Sequence, residues 1–294
     1  MIRGKSAVHQ GYRPALSFVD HWFPPRYDGA ADRVCLVGDL QLDDSLYHLY
    51  HQEEDDWWWA AGRRTLVTSL WRKYGSPGAR PRLLEVGCGT GGFLQELVTW
   101  AEAYGLDLSK EAVGYCQERG IATVCQGSLN ALPYGDNTFD GIIGVDVLEH
   151  LEDDQGALQE ILRTCRPGGR LVATVPAFQF LWSRRDVQLH HKRRYTRLQF
   201  TARVAQAGFR VLKSTYVNLP LFLPLLAMIK TGHLTKGGPN LKLDYALVPS
   251  AVNRVLSGVI QLEARLLAHI SLPLGTSIAC VAVKPDAGAQ RRPG

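Results

Sequence analysis

The stretch Leu83-Leu84-Glu85-Val86-Gly87-Cys88-Gly89-Thr90-Gly91-Gly92-Phe93-Leu94 decides the fold of this chain. Leu83, Leu84 and Val86 make an apolar run too short for a helix and closed by glycine, the pattern of a strand buried on both faces of a parallel sheet. Gly87, Gly89, Gly91 and Gly92 let the chain turn sharply and bring bare backbone close to a ligand. Phe93, Leu94, Leu97 and Val98 then recur at helical spacing. The loop therefore delivers its ligand to a helix N-terminus, where free N–H groups favour a negative group. Strand, glycine loop and helix together predict a nucleotide-type site.

Gly87, Gly89 and Gly92 satisfy the G-x-G-x-x-G of dinucleotide dehydrogenases, and Asp107 ends a second strand about twenty residues later, within reach of ribose hydroxyls. Glu85 shifts the reading. It places a carboxylate inside the strand, where a purely structural strand carries an apolar residue, and a buried carboxylate needs a partner such as a cationic ligand. With the tighter Gly87-x-Gly89-x-Gly91 spacing, Glu85-Val86-Gly87-Cys88-Gly89-Thr90-Gly91 resembles the first motif of the class I S-adenosylmethionine-dependent methyltransferases, and the resemblance runs from roughly Arg82 to Val217.

The resemblance implies roles. The loop amides of Gly87, Cys88, Gly89 and Gly91 hold the amino-acid end of S-adenosyl-L-methionine, supported by Glu85. Asp107, with Leu108 beside it, takes the ribose hydroxyls, Ser128 and Leu129 flank the adenine, and Asp146 lines the sulfonium side. Ser128 departs from the family, where an Asp more often stands, but a serine oxygen or a backbone carbonyl can accept the adenine amino group. His150 is a candidate base, because a neutral imidazole accepts a proton near pH 7; the competing reading is that it hydrogen-bonds a loop, since Leu-Glu-His is common in the family whatever the acceptor.

Around this motif strands and helices alternate. Ser109 caps a helix that Gly120 ends, Ile121 to Gln126 make a third strand, Phe139 begins a fourth, and Asp153-Asp154 open a helix that Arg166-Pro167-Gly168-Gly169 stop. Arg170 to Val175 form a fifth strand, Thr196-Arg197-Leu198-Gln199 is a capping box, Arg210 to Val217 form a sixth strand, and Ser277 to Val283 a seventh. The fold class is therefore α/β, a doubly wound, mostly parallel, seven-stranded sheet of Rossmann-like methyltransferase type, with ligands expected beyond the carboxyl ends of the strands. The division reads as an N-terminal arm and helical cap (1–80), a cofactor-binding core (81–218), an apolar helical insertion (219–276), and the last strand with a tail that reads as disordered (277–294).

In the cap, Trp57, Trp58 and Trp59 cannot all face one core; either the segment packs on a sheet edge, or one or two tryptophans with Arg63 or Arg64 roof the cofactor. The run His190-His191-Lys192-Arg193-Arg194-Tyr195 lies between the fifth strand and the capped helix. It is either a solvated charge run or an anion clamp on the acceptor, with Arg193 and Arg194 as the fork, Trp182, His190, His191 and Tyr195 shaping the site, and His191 and Tyr195 joining His150 as catalytic candidates. The insertion from Leu219 to Leu272 is too short in its apolar run to span a bilayer, and reads as a lid, a dimer face or a peripheral membrane contact.

Composition bounds the rest. A net charge of +5 over 294 residues does not imply nucleic acid. Six cysteines without a C-x-x-C pair argue against a zinc site and a disulfide framework, and the N-terminus lacks an apolar signal region, so the expected location is cytoplasmic, at the inner face of the membrane if the insertion touches lipid. The expected function is methyl transfer to a small-molecule acceptor, anionic or lipid-linked, with no metal and no nucleic-acid partner. The alternatives are a nicotinamide-dependent oxidoreductase and a non-catalytic cofactor-fold protein at a membrane surface.

Overall fold

The computed structural model describes residues 44–55, 57–76, 78, 80–231 and 249–286; the expected N-terminal arm, the glycine-rich turn after Lys230 and the tail beyond Asp286 lie outside the described residues. Two helices, α1 (Asp44–Glu53) and α2 (Trp58–Tyr74), lead into β1 (Arg82–Val86), and α3 (Gly92–Leu97), β2 (Glu102–Asp107), α4 (Lys110–Glu118), β3 (Val124–Gln126) and β4 (Phe139–Val145) follow. A single turn at Leu148–His150 precedes α5 (Asp154–Thr164), β5 (Cys165–Pro176), α6 (Arg184–Gln188), α7 (Arg197–Gln206) and β6 (Arg210–Val217). The chain then passes through α8 (Leu219–Lys230) and α9 (Ser250–Leu267) to β7 (Ser277–Val283).

The seven strands lie in the order β3-β2-β1-β4-β5-β7-β6. All neighbours are parallel except β7, which runs antiparallel between β5 and β6. The strand sequences explain the burial: Leu83, Leu84, Val86, Ile142, Ile143, Val172 and Val281 are fully buried, as befits strands covered on both faces. One face packs α5 and α7 through Leu158, Ile161, Phe200 and Val204. The other packs α2, α3 and α9 through Leu66, Leu70, Trp71, Leu94, Ala264 and Leu267.

Two glycines set the spacing of the second face. A Cβ at Gly62 of α2 would lie 2.4 Å from Ile260 Cγ2 of α9, so the two helices meet only because that position is bare. A Cβ at Gly141 of β4 would lie 2.2 Å from Trp71 Cζ3, so the indole lies directly on the strand.

The expected caps are present: Ser109 accepts from Ala112 N at 3.2 Å, and Thr196 and Gln199 form a reciprocal box at the start of α7. Two strand starts differ, and the third strand begins at Val124 and not at Ile121. β5 begins at Cys165 and not at Arg170, because the Pro167-Gly168-Gly169 sequence is absorbed as an irregularity in the pairing with β4, with Gly168 at φ +76°, and does not close a loop. Among the described residues no helix is long and apolar enough to cross a membrane.

Candidate active site

A cavity of about 740 Å³ opens where β1, β2, β4 and β5 end. Its floor is the glycine loop. Gly87, Gly89 and Gly91 take φ of +68°, +54° and +86°, a left-handed path that residues with a Cβ rarely follow. A Cβ at Gly89 would meet nothing within 4 Å, so the loop presents its backbone to open space. Asp107 fixes the loop from β2: its two carboxylate oxygens accept from Gly89 N and Ser109 N, both at 2.9 Å, and the Tyr47 hydroxyl of α1 also bonds it. Burial outweighs these bonds and lifts the Asp107 pKa.

Glu85 stands in this floor, 4% exposed, and its Oε2 finds no hydrogen-bond partner. Burial, with Cys116, Glu54 and Asp107 as neighbours, pushes its pKa well above the usual carboxylate range. Glu54, in the turn just after α1, pairs with Arg119 at 2.8 Å and takes the Thr90 hydroxyl. A buried carboxylate with a free oxygen beside an open glycine loop fits the ammonium of an amino acid.

The roof comes from α2. Trp57, Trp58, Trp59, Arg63 and Arg64 all line the cavity, with Trp58 packed edge to face against both Trp57 and Trp59 and the Arg63 guanidinium 4.3 Å from the Trp59 ring. Arg63 forks onto Asp146, with Nε at 2.8 Å, and reaches Ser277 Oγ at 2.7 Å. Asp146 itself has φ +50° and accepts the Thr174 hydroxyl at 2.9 Å. The tryptophans are half-buried around an opening and do not enter the core.

In the same cavity Glu149, His150 and His191 face one another. Their ligand-type atoms all lie within 4.8 Å, and the two imidazoles stand perpendicular with centroids 4.7 Å apart. Burial and then the His191 neighbour push the His150 pKa down to about 3, so the ring is neutral and a weak base. Burial, and then Asp146, lifts Glu149 well above the usual carboxylate range. His191 Nδ1 sits 2.9 Å from Asp186 Oδ1. A carboxylate only accepts, so Nδ1 carries the proton and Nε2 is turned toward Glu149 Oε1, 3.9 Å away. Burial opposes the Asp186 charge, yet hydrogen bonds from His191 and Arg194 hold its pKa well below the carboxylate range.

The cavity lining brings together Glu85, Gly87, Cys88, Gly89, Asp107, Leu108, Ser128, Leu129, Asp146, His150, His191 and Arg194 of the residues singled out in the sequence, and Gly91 caps α3 directly behind them. It does not include Trp182, His190, Arg193 or Tyr195. The Tyr195 hydroxyl donates to Asp154 at 2.7 Å inside the core, and Arg193 donates to the Glu152 carbonyl at 2.9 Å and pairs with Asp154 at 3.4 Å. Arg194 lines the cavity with its fork spent on Asp186, at 2.7 and 3.0 Å. Sequence reasoning missed Arg184 and Arg185, which line the cavity, and Asp186 behind them. The Ser183-Arg184-Arg185-Asp186 pattern is itself a capping-box signal that marks a helix start at this wall. From α8, Leu221, Pro224, Leu225 and Met228 supply an apolar wall.

Comparison with known proteins agrees with this arrangement. Residues 84–173 match the methyltransferase domain family. Over 97 residues the chain is 33% identical to the sterol 24-C-methyltransferase ERG6B of Gibberella zeae, covering 30% of this chain and 26% of that protein. Over 100 residues it is 35% identical to the fatty-acid O-methyltransferase of Mycolicibacterium smegmatis, covering 32% and 36%. The chain thus spans from about a quarter to a half of the length of the curated relatives it matches. The solved structure of a geranyl diphosphate methyltransferase in complex with SAM superposes with a TM-score of 0.51 at 15% identity, over 75% of this chain and 85% of that one, a likeness of fold.

Proposed function

We propose, on the premise that residues 84–173 make the core of this chain a class I S-adenosylmethionine-dependent methyltransferase domain, that the whole chain transfers the methyl group of S-adenosyl-L-methionine to a small amphipathic acceptor carrying an anionic or acidic group. The observation that carries the reading is Glu85. A buried carboxylate with a free oxygen in the floor of the cavity suits a ligand whose amino-acid end is cationic there. A pyrophosphate brings this buried carboxyl no cation to pair with, so the pocket favours an ammonium over a nicotinamide dinucleotide.

When bound, the cofactor supplies an electrophilic sulfonium methyl, so the chain has to hold, align and desolvate. The amides of the Gly87–Gly91 loop meet the cofactor carboxylate and Glu85 its ammonium. Asp107 braces the loop and retains lone pairs for ribose hydroxyls. Ser128 and Leu129 flank the adenine. Arg63 clamps Asp146, and with the Trp57–Trp59 roof excludes water from the transfer path. An acceptor enters between α8 and α6, its apolar part against Leu221, Pro224, Leu225 and Met228 and its acidic end toward Arg184 and Arg185. The Glu149, His150 and His191 group faces the reacting atom. An acceptor already ionised at its acidic group has no proton to lose, whereas one still protonated would give its proton to bulk water.

Supporting the amphipathic acceptor, the apolar wall continues outward. α8 exposes Leu219 and Leu223, and α9 exposes Val252, Val255, Val259, Leu262 and Leu266 along one stripe. A stripe of this kind is suited to lie on a membrane surface from which such an acceptor is taken. The relatives named for sterol and fatty-acid acceptors agree with this class.

The test is to incubate the purified chain and S-adenosyl-L-methionine with long-chain fatty acids, prenyl phosphates and long-chain phenols, each beside its short hydrophilic analogue. S-Adenosylhomocysteine is quantified and products identified by mass. The expected result is turnover with the amphipathic anions, with Arg184→Ala/Arg185→Ala raising KM about threefold to tenfold at unchanged cofactor affinity. Turnover only with the hydrophilic analogues, or an absence of cofactor binding, refutes the proposal.

A further inference from the structure

We infer that Glu149, His150 and His191 form a binding site for one divalent transition-metal ion at the acceptor side of the cavity. Three observations carry this, and each is geometric.

The first is convergence. One carboxylate oxygen and two imidazole nitrogens lie within 4.8 Å of one another, with Glu149 Oε1 3.9 Å from His191 Nε2. Around an ion with bonds of about 2.0–2.2 Å, such atoms stand roughly 3–3.5 Å apart, so side-chain rotations of about an ångström complete the set.

The second is a missing partner. Glu149 is fully buried, and neither of its carboxylate oxygens finds a hydrogen bond from another residue. The two guanidinium groups of this wall are engaged elsewhere: Arg63 on Asp146 and Ser277, Arg194 on Asp186 and the Ala177 carbonyl. A carboxylate taken out of water without a partner is expensive, and a cation held between it and the two imidazoles removes that expense, the His150 ring giving up one of its bonds to the backbone of Leu189 or Asp146 to reach the ion.

The third is the support behind His191. Its Nδ1–H is given to Asp186, itself fixed by the Arg194 fork and by Ser183 N at 2.8 Å. A carboxylate behind one ring nitrogen fixes the tautomer and turns the other nitrogen's lone pair outward, the arrangement that orients histidine toward a metal. A histidine that served only the packing has no need of this scaffold.

Two nitrogens and one oxygen suit zinc, cobalt, iron or manganese(II) rather than calcium or magnesium, and three protein ligands leave positions open. Those positions face the cavity that Gly87, Asp146 and Arg184 also line. On the methyl-transfer reading, an acidic oxygen of the acceptor takes one of them, which lowers its pKa and fixes its direction of attack.

The experiment uses the full chain without a polyhistidine tag, stripped with a chelator and titrated with Co²⁺ under visible absorption, then with Zn²⁺ in competition. S-Adenosylhomocysteine binding to the parent chain is measured in parallel, so that loss of the metal site and loss of the cofactor reading are separate results. The expected outcome is one equivalent of Co²⁺ with ligand-field bands stronger than those of the aqueous ion, displaced by Zn²⁺. His191→Ala and Glu149→Gln abolish the bands while thermal unfolding remains cooperative, and Asp186→Asn, acting through His191, weakens binding about 10- to 100-fold. Absence of these bands in the parent chain overturns the inference, a result that needs no variant to fold. Bands unchanged in both ligand variants overturn it equally.

Discussion

Replacing Glu85 by Gln should move stability and cofactor affinity in opposite directions. In the folded chain without ligand, burial raises the Glu85 pKa above its ordinary value of 4.5. The stability tied to its protonated form is fully present below 4.5 and is lost as pH climbs toward the raised folded value. At pH 7 that loss has a ceiling: a carboxyl held neutral in the fold but ionised when unfolded costs about 1.36 kcal/mol per pH interval above 4.5, or roughly 3.4 kcal/mol. Glutamine keeps the shape and never ionises, so the ligand-free variant should gain about 1–3 kcal/mol at neutral pH, the lower end reflecting an amide with no better partners. For a domain of this size that is ~2–4 °C of Tm per kcal/mol. The cofactor meanwhile loses a charge-assisted hydrogen bond worth about 1.5–3 kcal/mol, a Kd increase of roughly 10- to 150-fold. Scanning fluorimetry from pH 4.5 to 8 and calorimetric titration with S-adenosyl-L-methionine decide the matter. The Tm gap should open with rising pH and close near 4.5. A variant that melts below the parent at neutral pH, or binds the cofactor equally well, refutes the reasoning.

Two further outcomes follow from the packing. Gly141→Ala places a methyl 2.2 Å from Trp71 Cζ3 and should destabilise by about 1–3 kcal/mol in urea unfolding, more than alanine at the open Gly114, where a Cβ meets nothing within 4 Å. Val255→Asp with Leu262→Asp, at positions 66% and 58% exposed, should leave Tm within about 2 °C and abolish co-flotation with anionic vesicles; undiminished flotation removes α9 as the contact.

The core was legible because its signals are local. A glycine loop after a short apolar run, a capping serine, and Thr196 with Gln199 each state their geometry within a few residues. What stayed hidden depends on which distant groups the fold brings together. Arg193 and Arg194 look alike in sequence to Arg184 and Arg185, yet Arg193 meets Asp154 and Glu152 away from the cavity and Arg194 spends its fork on Asp186 at the cavity wall, while Arg184 and Arg185 line the cavity. Nothing in the spacing of a basic run says where its counter-charges fall. Tyr195 was misleading for the same reason, since its partner Asp154 comes from another element. The start of β5 was missed because Pro and Gly read as a stop, whereas the sheet accommodates them as a bulge.

The position of β7 bears on how the molecule is made. Among the described residues it is the last strand in sequence, yet it lies between β5 and β6, and every pairing on that side of the sheet passes through it. Until residues 277–283 emerge from the ribosome, β5 and β6 each lack the strand that pairs them. Contacts of such long sequence separation form late, and exposed edges of this kind recruit other strands. The charged side chains of Arg210 and Lys213 on β6 stand along the strand that waits for this pairing, where charge disfavours the addition of stray strands.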